Sequence, residues 1–279
     1  MISDLHLGDG SRRDHFAARD RASFLNRFLD HVEANSGQLL IIGDLLELWR
    51  FRLDDVLAAW RSLFDRFEAM GAEFVLGNHD CELAPLIGSE DAPHPFIRRA
   101  RHSFTTEIGP MNFKFLHGHE VDPFIPRGSE SWGKIFGILG GMLEMDNSLC
   151  TLSTDAMSDV LLACGEHLLS AANWVNSKVS RAVKDYCAML PNEQMANLKR
   201  GVRTRKMLAR FFADRARGLY DIAIAGHTHK AGSFNNWYFN CGSWTGKTHT
   251  YLQIRPDATV QVFYWLKNHP YLNHSLFGG

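Results

Sequence analysis

The sequence predicts an α/β fold whose sheet is mostly parallel but also contains antiparallel strands. Along the N-terminal part of the chain, short apolar runs of strand length alternate with longer segments of helical periodicity. This alternation is typical of β-α-β units, in which helices cover both faces of a parallel sheet. Residues 104–107 and 111–116, joined through Gly109-Pro110, instead indicate an antiparallel hairpin. We therefore expect both strand directions in one fold.

The first predicted β-α-β unit ends in a carboxylate. An apolar stripe at helical spacing runs from residue 24 to residue 32, and Gly37 ends the helix. Residues 38–42 then form a short buried strand that runs directly into Gly43-Asp44.

The next unit repeats this arrangement. A second apolar stripe covers residues 53–67 and ends at Gly71. The predicted strand at residues 73–76 follows and leads into Gly77-Asn78-His79-Asp80. Polar residues thus come at the end of two consecutive strands.

The C-terminal part returns to strands. Residues 221–225 form a predicted buried strand before Gly226-His227-Thr228-His229. Two strand pairs are expected at residues 233–240 and 248–254, and residues 260–265 alternate at period two. We expect these last strands to form a second sheet.

Length and pattern together predict the domain organisation. At 279 residues the chain is long for one core and short for two independent catalytic domains. Strand signals disappear between residues 122 and 217, where helical patterns dominate. We expect a single domain over residues 1–279 with a helical insertion, or cap, at residues 122–217.

The composition limits the binding partners and the cellular compartment that we expect for this protein. With 30 basic and 31 acidic side chains, the overall field attracts neither nucleic acid nor membrane, and we expect no nucleic-acid partner. The 5 cysteines form no CxxC pair and no secretory signal opens the chain, which predicts free thiols and a cytoplasmic location. No apolar stretch approaches the roughly 20 residues that a spanning helix needs.

Five short segments carry metal-binding chemistry. They are Ser-Asp-Leu-His at 3–6, Gly-Asp at 43–44, Gly-Asn-His-Asp at 77–80, His-Gly-His at 117–119 and Gly-His-Thr-His at 226–229. Each segment follows or ends a strand-like run, so their side chains can meet at one edge of a sheet. This convergence predicts a two-metal hydrolytic site.

The residue types fit a pair of divalent cations. Asp4 and His6 stand two apart, so on an extended segment both would point to the same side. Asp44 can bridge two cations, because each carboxylate oxygen can face a different ion. Oxygen and nitrogen donors without thiolate suit Mn, Fe, Zn or Co.

Two positions allow more than one role. We prefer His117 as a ligand because it directly follows the apolar run 113–116, whereas His119 either replaces it or touches substrate. Asp80 either holds a hydrogen bond behind the ligands or is a turn residue.

The order of these motifs resembles the calcineurin-like metallophosphoesterase family from Ser3 to His229, apart from the helical insertion. The resemblance implies a four-layer α/β/β/α sandwich and two divalent cations, with Mn favoured over Fe, Zn or Co. It places Asp4, His6 and His229 on one metal. It places Asn78, His117 and His227 on the other, with Asp44 between them.

A closer resemblance is suggested by residues 43–49, Gly-Asp-Leu-Leu-Glu-Leu-Trp, and by the helical insertion. Both are similar to the UDP-2,3-diacylglucosamine pyrophosphatases of lipid A synthesis. That family commonly has arginine in place of His79 and an acidic residue in place of His119. These departures favour a paralogous branch.

The site residues suggest a mechanism. Two cations would activate a bridging water and neutralise charge on the phosphoryl oxygens. We expect His79 to donate to a phosphoryl or leaving-group oxygen. Glu47 occupies the place where related phosphatases have an aspartate that orients this histidine. Arg12 and Arg13 either grip phosphate oxygens or belong to a solvated loop.

The substrate class stays open among several alternatives. The apolar segment 132–145 either lines an acyl-chain pocket or packs within the insertion. The basic and apolar segment 198–217 suits peripheral contact with an anionic inner-membrane surface, or is a solvated helix. We expect a phosphorylated small molecule or a lipid-linked nucleotide as substrate. The alternatives are a soluble nucleotide or phosphodiester hydrolase, and a non-catalytic scaffold with the same fold.

Overall fold

The computed structural model describes residues 1–17, 21–122, 202–246 and 248–272. The chain divides into two compact units, one formed by Met1–Glu120 with Asp214–Gly279 and the other by Val121–Ala213. Most of the predicted insertion at 122–217, including the apolar segment 132–145, lies outside the described residues. The single-domain organisation with a cap therefore stays a prediction.

The described helices and strands are numbered here in chain order. They are α1 Arg21–Ala34, β1 Leu40–Ile42, α2 Leu53–Ala69, β2 Glu73–Val75, α3 Pro95–Arg98, β3 Ser103–Ile108, β4 Met111–Leu116, α4 Val202–Ala216, β5 Ile222–Ala225, β6 Gly232–Phe234, β7 Tyr238–Asn240, β8 His249–Ile254, β9 Val260–Leu266 and β10 His269–Leu272. Short 3-10 helices cover Cys81–Leu86 and His119–Val121.

The first sheet is built around the N-terminal segment 1–7. Strand β1 pairs in parallel with β2, and Ile2 forms a parallel bridge to Ile41. On its other side, Met1 exchanges two hydrogen bonds with Leu252 of β8, at 2.6 and 2.9 Å. Strands β8, β9 and β10 continue from there as antiparallel neighbours. Residues 1–7 therefore lie between β1 and β8.

The second sheet has the order β3-β4-β5-β7-β6. The predicted hairpin is confirmed, because β3 and β4 pair antiparallel from Ser103↔Leu116 to Ile108↔Met111. Strands β4, β5 and β7 are parallel, and β6 returns antiparallel to β7. The mixed sheet predicted from the sequence is thus present.

Two predictions about the C-terminal strands are wrong and one is confirmed. The strand pair expected at 248–254 is instead the single strand β8. The strand pair expected at 233–240 is confirmed as a hairpin, because Asn235 and Asn236 adopt φ of 47° and 55° and turn the chain between β6 and β7. Positive φ at both central residues is the geometry of a tight hairpin turn, which asparagine tolerates. The C-terminal strands also divide between both sheets, since β6 and β7 join β5 while β8–β10 join the N-terminal segment.

Alternating side chains of the first sheet fill two apolar cores. Ile41 and Phe74 pack with α1 and α2, whereas their neighbours Ile42 and Val75 pack with Phe113 and other residues of the second sheet. Period-two alternation sends successive side chains to opposite faces. Helices, first sheet and second sheet are therefore successive layers, and the metal-binding segments lie at the ends of their strands.

Candidate metal centre

Five of the seven predicted ligands stand in a strained backbone conformation. The φ angles are 55° at Asp4, 51° at His6, 49° at Asp44, 67° at His227 and 55° at His229. A non-glycine residue at positive φ costs about 1–3 kcal/mol, and such residues concentrate at functional sites. The extended geometry expected for Asp4 and His6 is therefore wrong. The chain turns sharply at each ligand, which brings its side chain to the sheet edge.

Glycines let the ligand-bearing segments approach each other closely. A Cβ atom at Gly77 would collide with the Asp44 carboxylate, and one at Gly226 would collide with the Ser3 hydroxyl and the Asp4 carboxylate. No side chain fits at either position. Both motifs therefore begin with glycine because backbone must pack directly on a metal-binding carboxylate.

Asp4, His6 and His229 form what we call the outer group. One donor atom from each lies within 4.8 Å of the other two. His229 Nε2 is 3.0 Å and His6 Nε2 is 3.9 Å from Asp4 Oδ1. Asp4 is fully buried, whereas the His229 side chain is 31% exposed.

Asp44, His117 and His227 form the inner group, with donor atoms again within 4.8 Å of one another. His117 Nε2 lies 3.2 Å from Asp44 Oδ2, and both side chains are almost completely buried. The other ring nitrogen, Nδ1, donates to the Ile42 carbonyl at 2.8 Å. That hydrogen bond fixes the tautomer and leaves Nε2 as the metal-facing atom.

Asp44 connects the two groups. Its Oδ2 atom is 3.2 Å from His117 Nε2 and 3.7 Å from His6 Nε2. Its Oδ1 atom accepts the His79 backbone N–H at 2.9 Å. One carboxylate therefore faces both halves of the centre, as a bridging ligand must.

Four donor atoms of the centre lack hydrogen-bond partners. Among the described residues, Asp4 Oδ1, His6 Nε2, Asn78 Oδ1 and His117 Nε2 are buried without a hydrogen bond. Leaving such a group unsatisfied costs about 1–3 kcal/mol. These atoms are all good ligands for a divalent cation, so the residues present fit a metal pair. Asn78 is 4% exposed, in keeping with a ligand on the inner side.

Opposite charges hold the two carboxylates ionised. Burial alone would raise the pKa of Asp44, but His117 and His79 lower it well below its ordinary value. Burial likewise opposes ionisation of Asp4, while His229 lowers its pKa. The same pairing, working against desolvation, raises the pKa of His117 to about 10. Because metal ligands must be deprotonated, a cation bound here would replace the proton on that imidazole.

Glu47 connects the outer group to His79. Its Oε2 atom lies 2.9 Å from His6 Nδ1 and its Oε1 atom 2.8 Å from His79 Nδ1. Although burial disfavours the charged form, His79 and His6 hold the pKa of Glu47 far below its usual range. Burial likewise opposes charge on His79, yet the Glu47 and Asp44 carboxylates raise its pKa. The Glu47 carboxylate therefore favours the protonated form of His79.

Asp80 is a functional residue that the sequence left undecided. Its carboxylate accepts N–H groups from Gly77 at 2.6 Å, Leu45 at 2.7 Å and Leu46 at 3.2 Å. It therefore ties the Asp44 loop to the Asn78 loop from behind the ligands. Burial and the neighbouring Asp44 charge raise the pKa of Asp80 to about 7.

His119 lies beside the inner group. Its ring centroid is 5.6 Å from that of His117 and 6.4 Å from that of His227, and its Nδ1 lies 3.4 Å from Glu120 Oε2. Within the described part of the chain, the groups of three that could hold a metal include His117 and not His119. The geometry therefore favours His117 as the ligand.

Arg12 and Arg13 are exposed on the loop that follows the outer ligands. The Asp14 carboxylate braces this loop by accepting N–H groups from Gly10 and Phe16 at 3.0 and 2.8 Å. Trp60 Nε1 donates to the Gly8 carbonyl at 2.8 Å. The loop has a defined shape, and both arginines extend from it into solvent.

The sequence places this centre in a known family. Residues 1–231 match the calcineurin-like phosphoesterase family. The chain belongs to this family. The predicted α/β fold of that type is confirmed, and the family supports the predicted pair of metals. The finer resemblance to lipid A pyrophosphatases stays a prediction.

Comparisons with other proteins add little to the family assignment. Two solved structures of Vps29 from Entamoeba histolytica, a single mutant and a double mutant, are each 14% identical to this chain. Each match covers 88% of this chain and 86% of the other, with TM-scores of 0.39 and 0.38. No curated protein matches the chain.

Proposed function

We propose that this protein hydrolyses a phosphoester or pyrophosphate bond with a hydroxide activated by two divalent cations, with Mn as the favoured metal. The observation that carries the proposal is Asp44 Oδ2, which stands 3.7 Å from His6 Nε2 and 3.2 Å from His117 Nε2. When bound, the two cations would lower the pKa of a water and neutralise charge on the phosphoryl group. The outer and inner groups, with Asn78, would hold them.

His79 is the residue we assign to proton or hydrogen-bond donation. Its Nδ1 is engaged by Glu47, so Nε2 is the ring nitrogen left for a substrate oxygen. The side chain is 19% exposed, which leaves it open to a ligand. A charged donor at this place would stabilise the oxygen that gains charge as the phosphoryl bond breaks.

The substrate is proposed as a phosphorylated small molecule that carries further negative charge. The forked guanidinium groups of Arg12 and Arg13 suit a second phosphate, and His119 adds a donor beside the inner group. A lipid-linked nucleotide is the narrower proposal, and a soluble nucleotide or phosphodiester is the alternative. The apolar segment 132–145 that prompted the lipid version lies outside the described residues.

A cytoplasmic protein in peripheral contact with an anionic membrane remains part of the proposal. Its support is the basic composition of the segment that contains α4. Among the described residues, no helix has the length and apolarity required to span a bilayer.

Metal-dependent turnover tests the proposal directly. The protein is stripped with a chelator, reloaded with Mn²⁺, analysed for bound metal, and assayed with bis(4-nitrophenyl) phosphate. We expect about two ions per chain and hydrolysis that requires them. Asp44→Asn should abolish turnover, whereas Asp55→Asn, at an exposed position of α2, should not.

The choice of substrate separates the remaining versions. A nucleotide-linked diacyl sugar, a soluble nucleotide sugar and a simple diester are compared by kcat/KM. Preference for the acylated compound supports the lipid version, and equal rates for the first two remove it. Metal binding without hydrolysis of any of these compounds would contradict the proposed hydrolase activity and favour a non-catalytic scaffold.

A further inference from the structure

The His79 ring is held on three sides. Nδ1 is hydrogen-bonded to Glu47 at 2.8 Å, and the indole of Trp49 stacks on the ring with centroids 3.6 Å apart and planes 25° apart. The His6 ring meets it edge to face, with centroids 4.5 Å apart and planes at 86°. As far as the described residues go, these contacts leave Nε2 as the open ring nitrogen.

Glu47 alone cannot fix the orientation of His79. Its two oxygens accept from two imidazoles, one each, so the His79 ring donates a single hydrogen bond to Glu47. One hydrogen bond sets the direction of Nδ1 but leaves the ring free to rotate about that axis. The flat indole of Trp49 restricts this rotation, because tilting the imidazole would lose the stacked contact.

The local backbone places Trp49 for this purpose. The Glu47 carbonyl accepts N–H groups from Arg50 at 3.3 Å and Phe51 at 3.1 Å, which turns the chain directly after the carboxylate. Glu47 and Trp49 therefore reach His79 from the same turn. The segment that supplies the hydrogen bond also supplies the stacking surface.

Within the parts of the chain that the structure describes, Trp49 is not a core residue. The side chain is only partly buried, and it belongs to neither apolar core cluster of the described residues. Trp60, by contrast, packs against the core between α2 and the first sheet. Among the described residues, the aromatic ring that stacks on Trp49 is that of the proposed proton donor.

We propose that Trp49 is a positioning residue that holds His79 with Nε2 directed at the phosphoryl or leaving-group oxygen, an inference that rests on the proposed function. Trp49 acts through the imidazole and does not itself touch the reacting atoms. Its loss should therefore lower kcat while leaving KM and the bound metal unchanged.

The kinetic test compares Trp49→Ala with Trp49→Phe, which retains an aromatic face. Positioned acid catalysis contributes roughly 10²–10⁴-fold, so partial loss of orientation should reduce kcat by about 10-fold or more in Trp49→Ala. The reduction should be larger for an alkyl diester than for bis(4-nitrophenyl) phosphate, whose leaving group needs little protonation. Trp49→Phe should recover most of kcat, and KM should stay within about 2-fold.

A double-mutant cycle with His79→Ala decides through which residue Trp49 acts. If the indole works through the imidazole, Trp49→Ala should cause no further loss in the His79→Ala background. A full additional loss, or a rise in KM that persists there, would overturn the inference and make Trp49 a substrate or folding contact.

Crystal structures of the two variants make the inference independent of activity. We expect more than one orientation of the His79 ring in Trp49→Ala and a single orientation in Trp49→Phe. An unchanged single orientation in Trp49→Ala would refute the positioning role even in an active enzyme. If the wild-type protein proves inactive, the proposed function fails, while these ring orientations still decide what Trp49 does.

Discussion

The outer and inner groups of the metal centre are built from the same residue types but differ in their surroundings. In the inner group, Asp44 and His117 are 2% and 0% exposed, and the ring is tied to the backbone at Ile42. In the outer group, the His6 and His229 side chains are 10% and 31% exposed. The inner half is thus part of the interior, while the outer half opens toward solvent and connects to His79.

This difference suggests a division of labour. Ligands that the fold already holds in place lose little entropy when a cation binds, so the inner half should retain its metal more strongly. The outer half lies beside the proposed proton donor and the exposed arginines, where a substrate can reach it. The Asp44 carboxylate therefore connects a preformed inner group with an outer group that substrate can reach.

The largest effect should follow from removing what the two halves share. Asp44→Asn takes away the charge that faces both groups, and loss of one such electrostatic group costs about 10²–10³-fold in rate. We expect at least this loss of kcat, with both metals weakened, measured by turnover and metal analysis. Retention of one tightly bound ion together with wild-type kcat would contradict the inference that both groups depend on Asp44.

The next prediction sets the two halves against each other through His117→Ala and His229→Ala. Removing His117 leaves a cavity and takes a partner from a buried carboxylate, which costs about 3 kcal/mol of metal-free stability. Removing His229 should cost less, because its side chain is 31% exposed and Asp4 keeps the Ser3 hydroxyl and the His227 N–H as donors.

Urea unfolding of both variants in excess chelator measures this difference without metal. The exposed substitution His102→Ala, directly before β3, serves as a control for loss of an imidazole away from the centre. Equal destabilisation by His117→Ala and His229→Ala would show that burial does not distinguish the two halves.

A smaller effect is expected at the connection between the outer half and the proton donor. Glu47→Gln keeps the size of the side chain but removes the charge that pairs with His6 and His79. Substituting such a supporting partner typically costs about 10–100-fold in activity or metal affinity. We expect that range in kcat, with metal lost first from the outer half, measured by stepwise titration with a chelator. Loss from the inner half first would contradict the assignment.

The sequence was sufficient to predict candidate ligands because most of them come just after a strand whose last residues are buried. Asp44 and His117 could be placed from the apolar runs before them. The left-handed conformation of Asp4 and His6 could not be predicted in this way. It results from backbone packing between β1 and β8, which the local sequence pattern does not encode.

Other features depended on long-range contacts. The role of Asp80 required knowing that residues 45 and 46 lie beside Gly77, a contact across β1 and β2. The Trp49 stack required the turn after Glu47. The strand pair at 233–240, by contrast, could be predicted locally, and Asn235-Asn236 supply two residues that tolerate the positive φ of its turn.

The smallest predicted effect concerns the loop beside the outer half. Trp60→Phe removes the hydrogen bond from Nε1 to the Gly8 carbonyl but retains most of the ring, so stability should fall by about 1 kcal/mol. If loop 8–17 presents Arg12 and Arg13 to a second phosphate, the looser loop should raise KM for a nucleotide diphosphate and leave kcat unchanged. A simple diester, which lacks that phosphate, is the internal control. A parallel rise in KM for both substrates would mean that the loop shapes the outer half itself, and the arginines would then lose their proposed part in specificity.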